Sequence, residues 1–227
     1  MTKKEEKHIN KFIDLLTKVT VRISTFNESG QLIGRSSGFL YQSSSNEIPI
    51  VITAGHKQSE KGVFIETRIR KDDKTLLING GKFNVFYNHS DIDYAYSELP
   101  IDIYKKEIEK YKNIEFISYQ HKFVKAIKGE AYGFAVINDY AEFVKNGDDY
   151  NLPSYCCYEI YLELVEQTDH INYFKLARDF QGHEYYQGAS GSPIANPEGA
   201  ITSILIGGDD KLGLLKAFRL DNIELNI

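Results

Sequence analysis

Short apolar runs punctuated by turn residues fill this chain, and they exclude most folds before any motif is considered. Val19 to Thr25 alternates apolar and polar side chains, the period of a strand with one buried face. Asn27-Glu28-Ser29-Gly30 is turn chemistry. Ser37-Gly38-Phe39-Leu40-Tyr41 and Ile48-Pro49-Ile50-Val51-Ile52-Thr53 flank a polar Ser43-Ser44-Ser45-Asn46 loop and read as a hairpin. Further strands are expected at Val63–Arg70, Thr75–Ile78, Lys82–Tyr87, Phe123–Ile127, Ala131–Val136, Cys157–Val165, Ile201–Ile206 and Leu214–Leu220. A short strand is also expected before the turn Asn196-Pro197-Glu198-Gly199. Asn138–Leu152, rich in Asp and Asn, reads as a long surface loop. Residues 3–18 differ: Ile9, Phe12, Ile13, Leu15 and Leu16, with Val19, have near-helical spacing and predict an amphipathic N-terminal packing helix. The pattern predicts an all-β fold, a pair of barrels or a sandwich.

Composition narrows the function classes. The abundance of Tyr (16) and Phe (13), with no Trp, favours sheet. A formal net charge of -5 gives no basic footprint for nucleic acid. No apolar run approaches the roughly 20 residues of a membrane helix. The two cysteines, Cys156 and Cys157, are adjacent, which allows neither a disulfide framework nor a metal-ligand spacing. The charged N-terminus has no apolar segment of the secretory kind behind it. The expectation is an intracellular, cytoplasmic protein without disulfides, cofactor or metal. After Pro100 the chain turns charged through Tyr104-Lys105-Lys106-Glu107-Ile108-Glu109-Lys110. The expected division is a helix at 1–18, a β half at 19–100, a linker at 101–118 and a second β half at 119–227.

The stretch Gly188-Ala189-Ser190-Gly191-Ser192-Pro193 carries the chemistry. A serine among small residues forms a tight turn that exposes one hydroxyl and aims backbone N–H groups at the same point. By itself it reads better as a hairpin turn, and only the rest of the chain changes that. A serine nucleophile needs a histidine base, and the imidazole needs a carboxylate to hold its tautomer. Chain order restricts the partners. No histidine follows Ser190, so the α/β-hydrolase order fails. Before His56 there is only Asp14, inside the predicted helix, so the subtilisin order fails too. The order His56, Asp93, Ser190 remains, and it is that of chymotrypsin-type enzymes. Asp91 competes with Asp93, because two residues apart on a strand they would share a face.

Three blocks then resemble trypsin-like serine peptidases. Thr53-Ala54-Gly55-His56 resembles their Thr-Ala-Ala-His. Asp93-Tyr94-Ala95-Tyr96-Ser97-Glu98-Leu99 resembles Asp-Ile-Ala-Leu-x-x-Leu. Gly188 to Pro193 resembles Gly-Asp-Ser-Gly-Gly-Pro, and its Gly-x-Ser-Gly-Ser-Pro form is most similar to bacterial glutamyl endopeptidases. Ser37-Gly38-Phe39-Leu40 is similar to the Gly-Ser-Gly-Phe strand of bacterial members. The resemblance implies two packed six-stranded antiparallel barrels with the site between them. It implies His56 as general base and acid, Asp93 as its orienting carboxylate, Ser190 as nucleophile, and the N–H groups of Gly188 and Ser190 as oxyanion hole. Ala189 stands where digestive members carry an Asp that pairs with a new N-terminus, so activation by cleavage is not expected.

The resemblance also places specificity candidates. Glu184, six residues before Ser190, falls where trypsin-like members have the pocket floor, and a buried carboxylate there would favour Lys or Arg; an exposed loop glutamate is the competing reading. In Ile204-Leu205-Ile206-Gly207-Gly208, Leu205 replaces the histidine that reads glutamate in the glutamyl branch, with Gly207 beside it. His89, Asp91 and Asp93 make a loose metal-like pattern, for which a solvated loop is the commoner explanation. The expected partner is a protein or peptide substrate. Two further readings stay open: a catalytically silent trypsin-fold module that binds peptides in its cleft, and a peptidase kept off until a regulatory partner arrives.

Overall fold

The computed structural model describes residues 13, 15, 16, 19–26, 29, 31–43, 49–57, 63–71, 74–80, 83–88, 91–98, 119–138, 144–146, 149–151 and 155–223. Among them the fold is all-β. The first sheet holds β1 (Thr20–Phe26), β2 (Leu32–Tyr41), β3 (Ile50–Thr53), β4 (Val63–Lys71), β5 (Lys74–Gly80), β6 (Asn84–Tyr87) and β7 (Asp93–Glu98). Their spatial order is β5-β4-β1-β2-β3-β7-β6, antiparallel throughout. The two outermost strands, β5 and β6, are separated in sequence by residues 81–83 alone. So short a link cannot span a flat sheet of this width, and the sheet must curl until its ends approach. No ladder joins β5 to β6 among the described residues.

The second half is a closed barrel of β8 (Ala131–Asn138), β11 (Tyr155–Gln167), β12 (Ile171–Lys175), β13 (Pro193–Ala195), β14 (Ile201–Asp209) and β15 (Leu214–Arg219), ordered β11-β12-β15-β14-β13-β8. The hairpin β9 (Val144–Asn146) with β10 (Asp149–Asn151) stands apart from it.

Strand alternation explains why this half feeds two cores. Tyr132, Phe134 and Val136 of β8 point into the barrel, where they meet Leu162, Leu164, Phe174, Leu205 and Leu215. Ala135, on the other face of β8, joins Ile171, Ile204 and Phe218 against Phe39, Ile50, Ile52 and Tyr96 of the first sheet. Each large apolar side chain buried here contributes roughly 1.5–3 kcal/mol. In β11 a bulge shifts the phase. Ile160 and Leu162 would share a face, yet Ile160 packs on the core between the sheets and Leu162 fills the barrel. Tyr161 between them takes φ +62 and points to solvent, which resets the alternation.

Three expectations change. Phe123–Ile127 forms no strand: Phe123 instead packs its ring on Phe39, Tyr41 and Tyr119 at 6.1, 4.9 and 5.9 Å, and Val124 N–H reaches Ile201 O. The expected loop at Asn138–Leu152 contains the β9–β10 hairpin, whose strands are joined by two residues, Gly147-Asp148. The strand β12 has no counterpart in the sequence reading, because five residues with one polar interruption give little periodicity. Of the helix expected at 1–18, only Ile13, Leu15 and Leu16 are described, and they pack on the core between the sheets. The linker at 101–118 lies outside the described residues.

Candidate active site

The short buried strand β3 ends at Thr53 and delivers His56 through a 3-10 turn, Gly55–Lys57. β3 pairs with β7, whose first residue is Asp93, so one ladder brings the two side chains together. Asp93 grips His56 at two points. Its Oδ2 lies 2.7 Å from His56 Nδ1, and its Oδ1 accepts the His56 backbone N–H at 2.9 Å. With Nδ1–H donating to the carboxylate, Nε2 is the acceptor nitrogen, the tautomer a general base requires. Asp93 is 8 % exposed, which strengthens the pairing by excluding water.

Asp91 does not share this face. The chain bends there, because Asn88 Oδ1 accepts the N–H groups of Asp91 and Ile92 at 2.7 and 3.0 Å. Asp91 is left exposed outside β7. His89 lies outside the described residues, and no metal-binding cluster occurs among those described.

Ser190 sits in the second of two consecutive turns. Ala189 N–H donates to Tyr186 O, and Ser192 N–H to Ala189 O, both at 2.9 Å. Gly188 (φ +83) and Gly191 (φ +92) hold the third position of each, the torsion that favours glycine there. The turns are pinned from the opposite half of the molecule. Ser37 N–H donates to Ser190 O at 2.7 Å, and Ser37 Oγ–H donates to Gly188 O at 2.7 Å. Thr53 Oγ–H, at the end of the strand leading to His56, donates to Ser37 O at 2.6 Å. Behind the turn, Gly191 N–H donates to Leu205 O at 2.6 Å, and Leu205 N–H to Ser192 O at 2.9 Å. The serine is therefore locked both to the strand pair that carries His56 and to the barrel behind it. Nothing in the resemblance assigned Ser37 or Thr53 a role; a contact 151 residues apart leaves no local signal.

A Cβ on Gly191 would overlap Ser37 O and Thr53 Oγ1, whereas one on Gly188 would meet open space. Gly191→Ala is expected to cost roughly 3 kcal/mol or more, from overpacking added to backbone strain. Gly188→Ala, with strain alone, is expected to cost about 1 kcal/mol. Urea midpoints at unchanged slope measure both, and equal losses would refute the close contact.

The specificity candidates fall as follows. Leu205 is 1 % exposed inside the barrel core, with Gly207 two residues on in β14. Glu184 lies in the 3-10 turn His183–Tyr186, ahead of Gly188, and its side chain is outside the description. That turn is fastened to the barrel through Tyr186, whose ring meets Phe134 of β8 edge-on at 6.3 Å and stacks on Phe180 at 5.7 Å. Arg178 lies 5.0 Å over the Tyr185 ring and pairs with Glu159. Burial pushes the Tyr186 phenol up, and the Glu159 carboxylate adds to it.

No family model and no curated protein matches the chain. Solved structures do. A serine endoprotease from Yersinia pestis superposes with TM-score 0.59 at 12% identity, covering 92% of this chain and 61% of that one. Deg5 gives 0.59 at 12%, over 97% and 92% of the two chains. A mutant of the Tobacco Etch Virus protease gives 0.56 at 10%, over 91% and 75%. The fold is chymotrypsin-like. This chain spans less than two thirds of the Yersinia protein, and at such identities the likeness is one of fold. Two of these three structures are proteases by name, and the glutamyl-endopeptidase form read from the sequence has no counterpart among them.

Proposed function

We propose that this chain is a serine endopeptidase of the trypsin-like kind. The observation that carries the reading is the two-point grip of Asp93 on His56, with the Ser190 turn hydrogen-bonded to the strands that lead there. Ser190 Oγ attacks the substrate carbonyl while His56 Nε2 takes its proton. The carbonyl electrons move to oxygen, and the N–H groups of Gly188 and Ser190 receive the oxyanion. The other N–H groups of the turn, those of Ala189, Gly191 and Ser192, are already spent on carbonyls inside the protein. Collapse of the intermediate expels the amine, which takes the proton from His56. Water, activated by the same imidazole, then releases the acyl group from Ser190. The Asp93 carboxylate stabilises the imidazolium in both halves of the cycle. Each oxyanion donor contributes roughly 3 kcal/mol to the transition state.

The hydrogen bonds from Ser37 fix the turn without any charge at position 189, which suits a site that needs no N-terminal cleavage. The short link between β5 and β6 is read as the seam of a second barrel. Leu205 offers no charge to a substrate carboxylate, so the reading carries no glutamate preference. The compartment we propose is the cytoplasm.

The direct test is hydrolysis of an unbiased peptide pool followed across pH. A protonated imidazole cannot accept the Ser190 proton, so kcat/KM is expected to rise from mildly acidic to neutral pH. A flat profile over that range would remove His56 as base.

A further inference from the structure

Beside the dyad, between the first sheet and the barrel, lies a cavity of about 510 Å³. Its walls are aromatic and ordered. Phe86 stacks on Tyr94 at 4.8 Å with ring planes 8° apart, and Tyr94 stacks on Phe218 at 5.3 Å and 20°. Tyr87 forms the wall nearest the dyad, its ring centroid 6.2 Å from that of His56. Exposed Asn88 and Asn222 lie at the surface side with His170, and Ile223 is part of the lining. Among the described residues, no Asp, Glu, Lys or Arg lines the cavity. Burial pushes the Tyr94 phenol up, with Tyr96 adding, so this wall carries no charge at neutral pH. The strand at its rim, β6, is an outermost strand of the described sheet and holds Val85, Phe86 and Tyr87 at 42%, 41% and 44% exposure.

We infer that this cavity is a side-chain pocket for a large aromatic or aliphatic residue of the bound polypeptide, outside the residue at the cleaved bond. The inference rests on the peptidase reading above. The argument is one of reach and chemistry. A substrate being cleaved must pass His56, because the imidazole has to protonate the leaving amine. An extended chain advances about 3.3 Å per residue. A pocket whose near wall touches the His56 surroundings is therefore reached by a side chain roughly two to four residues from the scissile bond. Parallel ring faces and an uncharged lining favour a flat or branched apolar group and reject a charged one, which would be desolvated without a partner. Exposed aromatic surface on β6 is costly to a chain that leaves it uncovered, and a bound substrate covers it.

The experiment is a peptide series on one cleavable sequence. Phe or Ala is placed in turn at each of the four positions on either side of the cleaved residues. At one position the Phe peptide is expected to exceed the Ala peptide by roughly 10- to 100-fold in kcat/KM. In Phe86→Ala, which removes a wall, and in Asn222→Phe, which fills the space, that ratio is expected to fall towards one. A second arm uses Ser190→Ala, which cannot turn over, and peptides carrying Trp at that position. The chain contains no Trp, so the fluorescence is the peptide's alone. Cleavage with a ratio near one at every position would overturn the pocket and leave the peptidase reading intact. Absence of cleavage, with Trp-peptide binding that Asn222→Phe abolishes, would sink the peptidase reading and uphold the pocket. Binding that does not distinguish Trp from Ala, or no binding at all, would overturn the pocket.

Discussion

Ser190→Ala is expected to lower kcat on a peptide substrate by about a millionfold and to abolish covalent labelling by a fluorophosphonate. The size follows from what the hydroxyl does. Without Oγ there is no acyl-enzyme, and only the oxyanion donors and substrate binding remain to act on water. His56→Ala is expected to be about as damaging, and the double variant little worse, because the two residues act as one unit. Ser192, two residues on, cannot substitute: it is 0% exposed and sits behind the turn. Labelling that survives Ser190→Ala would place the nucleophile elsewhere. Labelling absent from a folded wild-type protein would favour the silent peptide-binding module.

Asp93→Asn is expected to lose about ten-thousandfold in kcat with the fold intact. The amide has the carboxylate's shape but can offer N–H to Nδ1. That stabilises the tautomer with hydrogen on Nε2, which cannot accept the Ser190 proton. The second contact, His56 N–H to Asp93 Oδ1 at 2.9 Å, can persist in the variant, so the imidazole stays in place while its chemistry fails. Asp91→Asn, on an exposed side chain in the bend before β7, is expected to leave kcat within about threefold. Comparing kcat and urea midpoints for the two variants separates a catalytic from a structural effect. A large loss at Asp91 and a small one at Asp93 would reassign the carboxylate.

Much of this site is legible in local sequence because its parts are short and contiguous. The apolar β3 running into Thr53-Ala54-Gly55-His56 announces a buried strand ending in a histidine, and the structure has that strand. Strand alternation does not choose between Asp91 and Asp93; only the block Tyr94-Ala95-Tyr96 that follows Asp93 does. A period of two puts both on one face, and only the amide of Asn88, capturing two N–H groups, breaks the strand before Asp93. Phe123–Ile127 misleads for a related reason. Phe123 joins an aromatic cluster against the first sheet, Ala126 packs in the barrel core, and Val124 and Ile127 stay exposed; an apolar run without a ladder partner looks the same in sequence as a strand.

Alternation, turn residues and the order of His56, Asp93 and Ser190 are properties of neighbouring residues, so the sequence alone determined the β class and the candidate dyad and nucleophile. The period of a strand says which side chains share a face; it does not say what that face meets. The bulge at Tyr161 that sends Ile160 and Leu162 to different cores was decided by tertiary packing. So were the lock of Ser37 and Thr53 on the Ser190 turn and the aromatic cavity beside His56. Each joins residues far apart in the chain, and the energy of such contacts exists only once both partners are held in place.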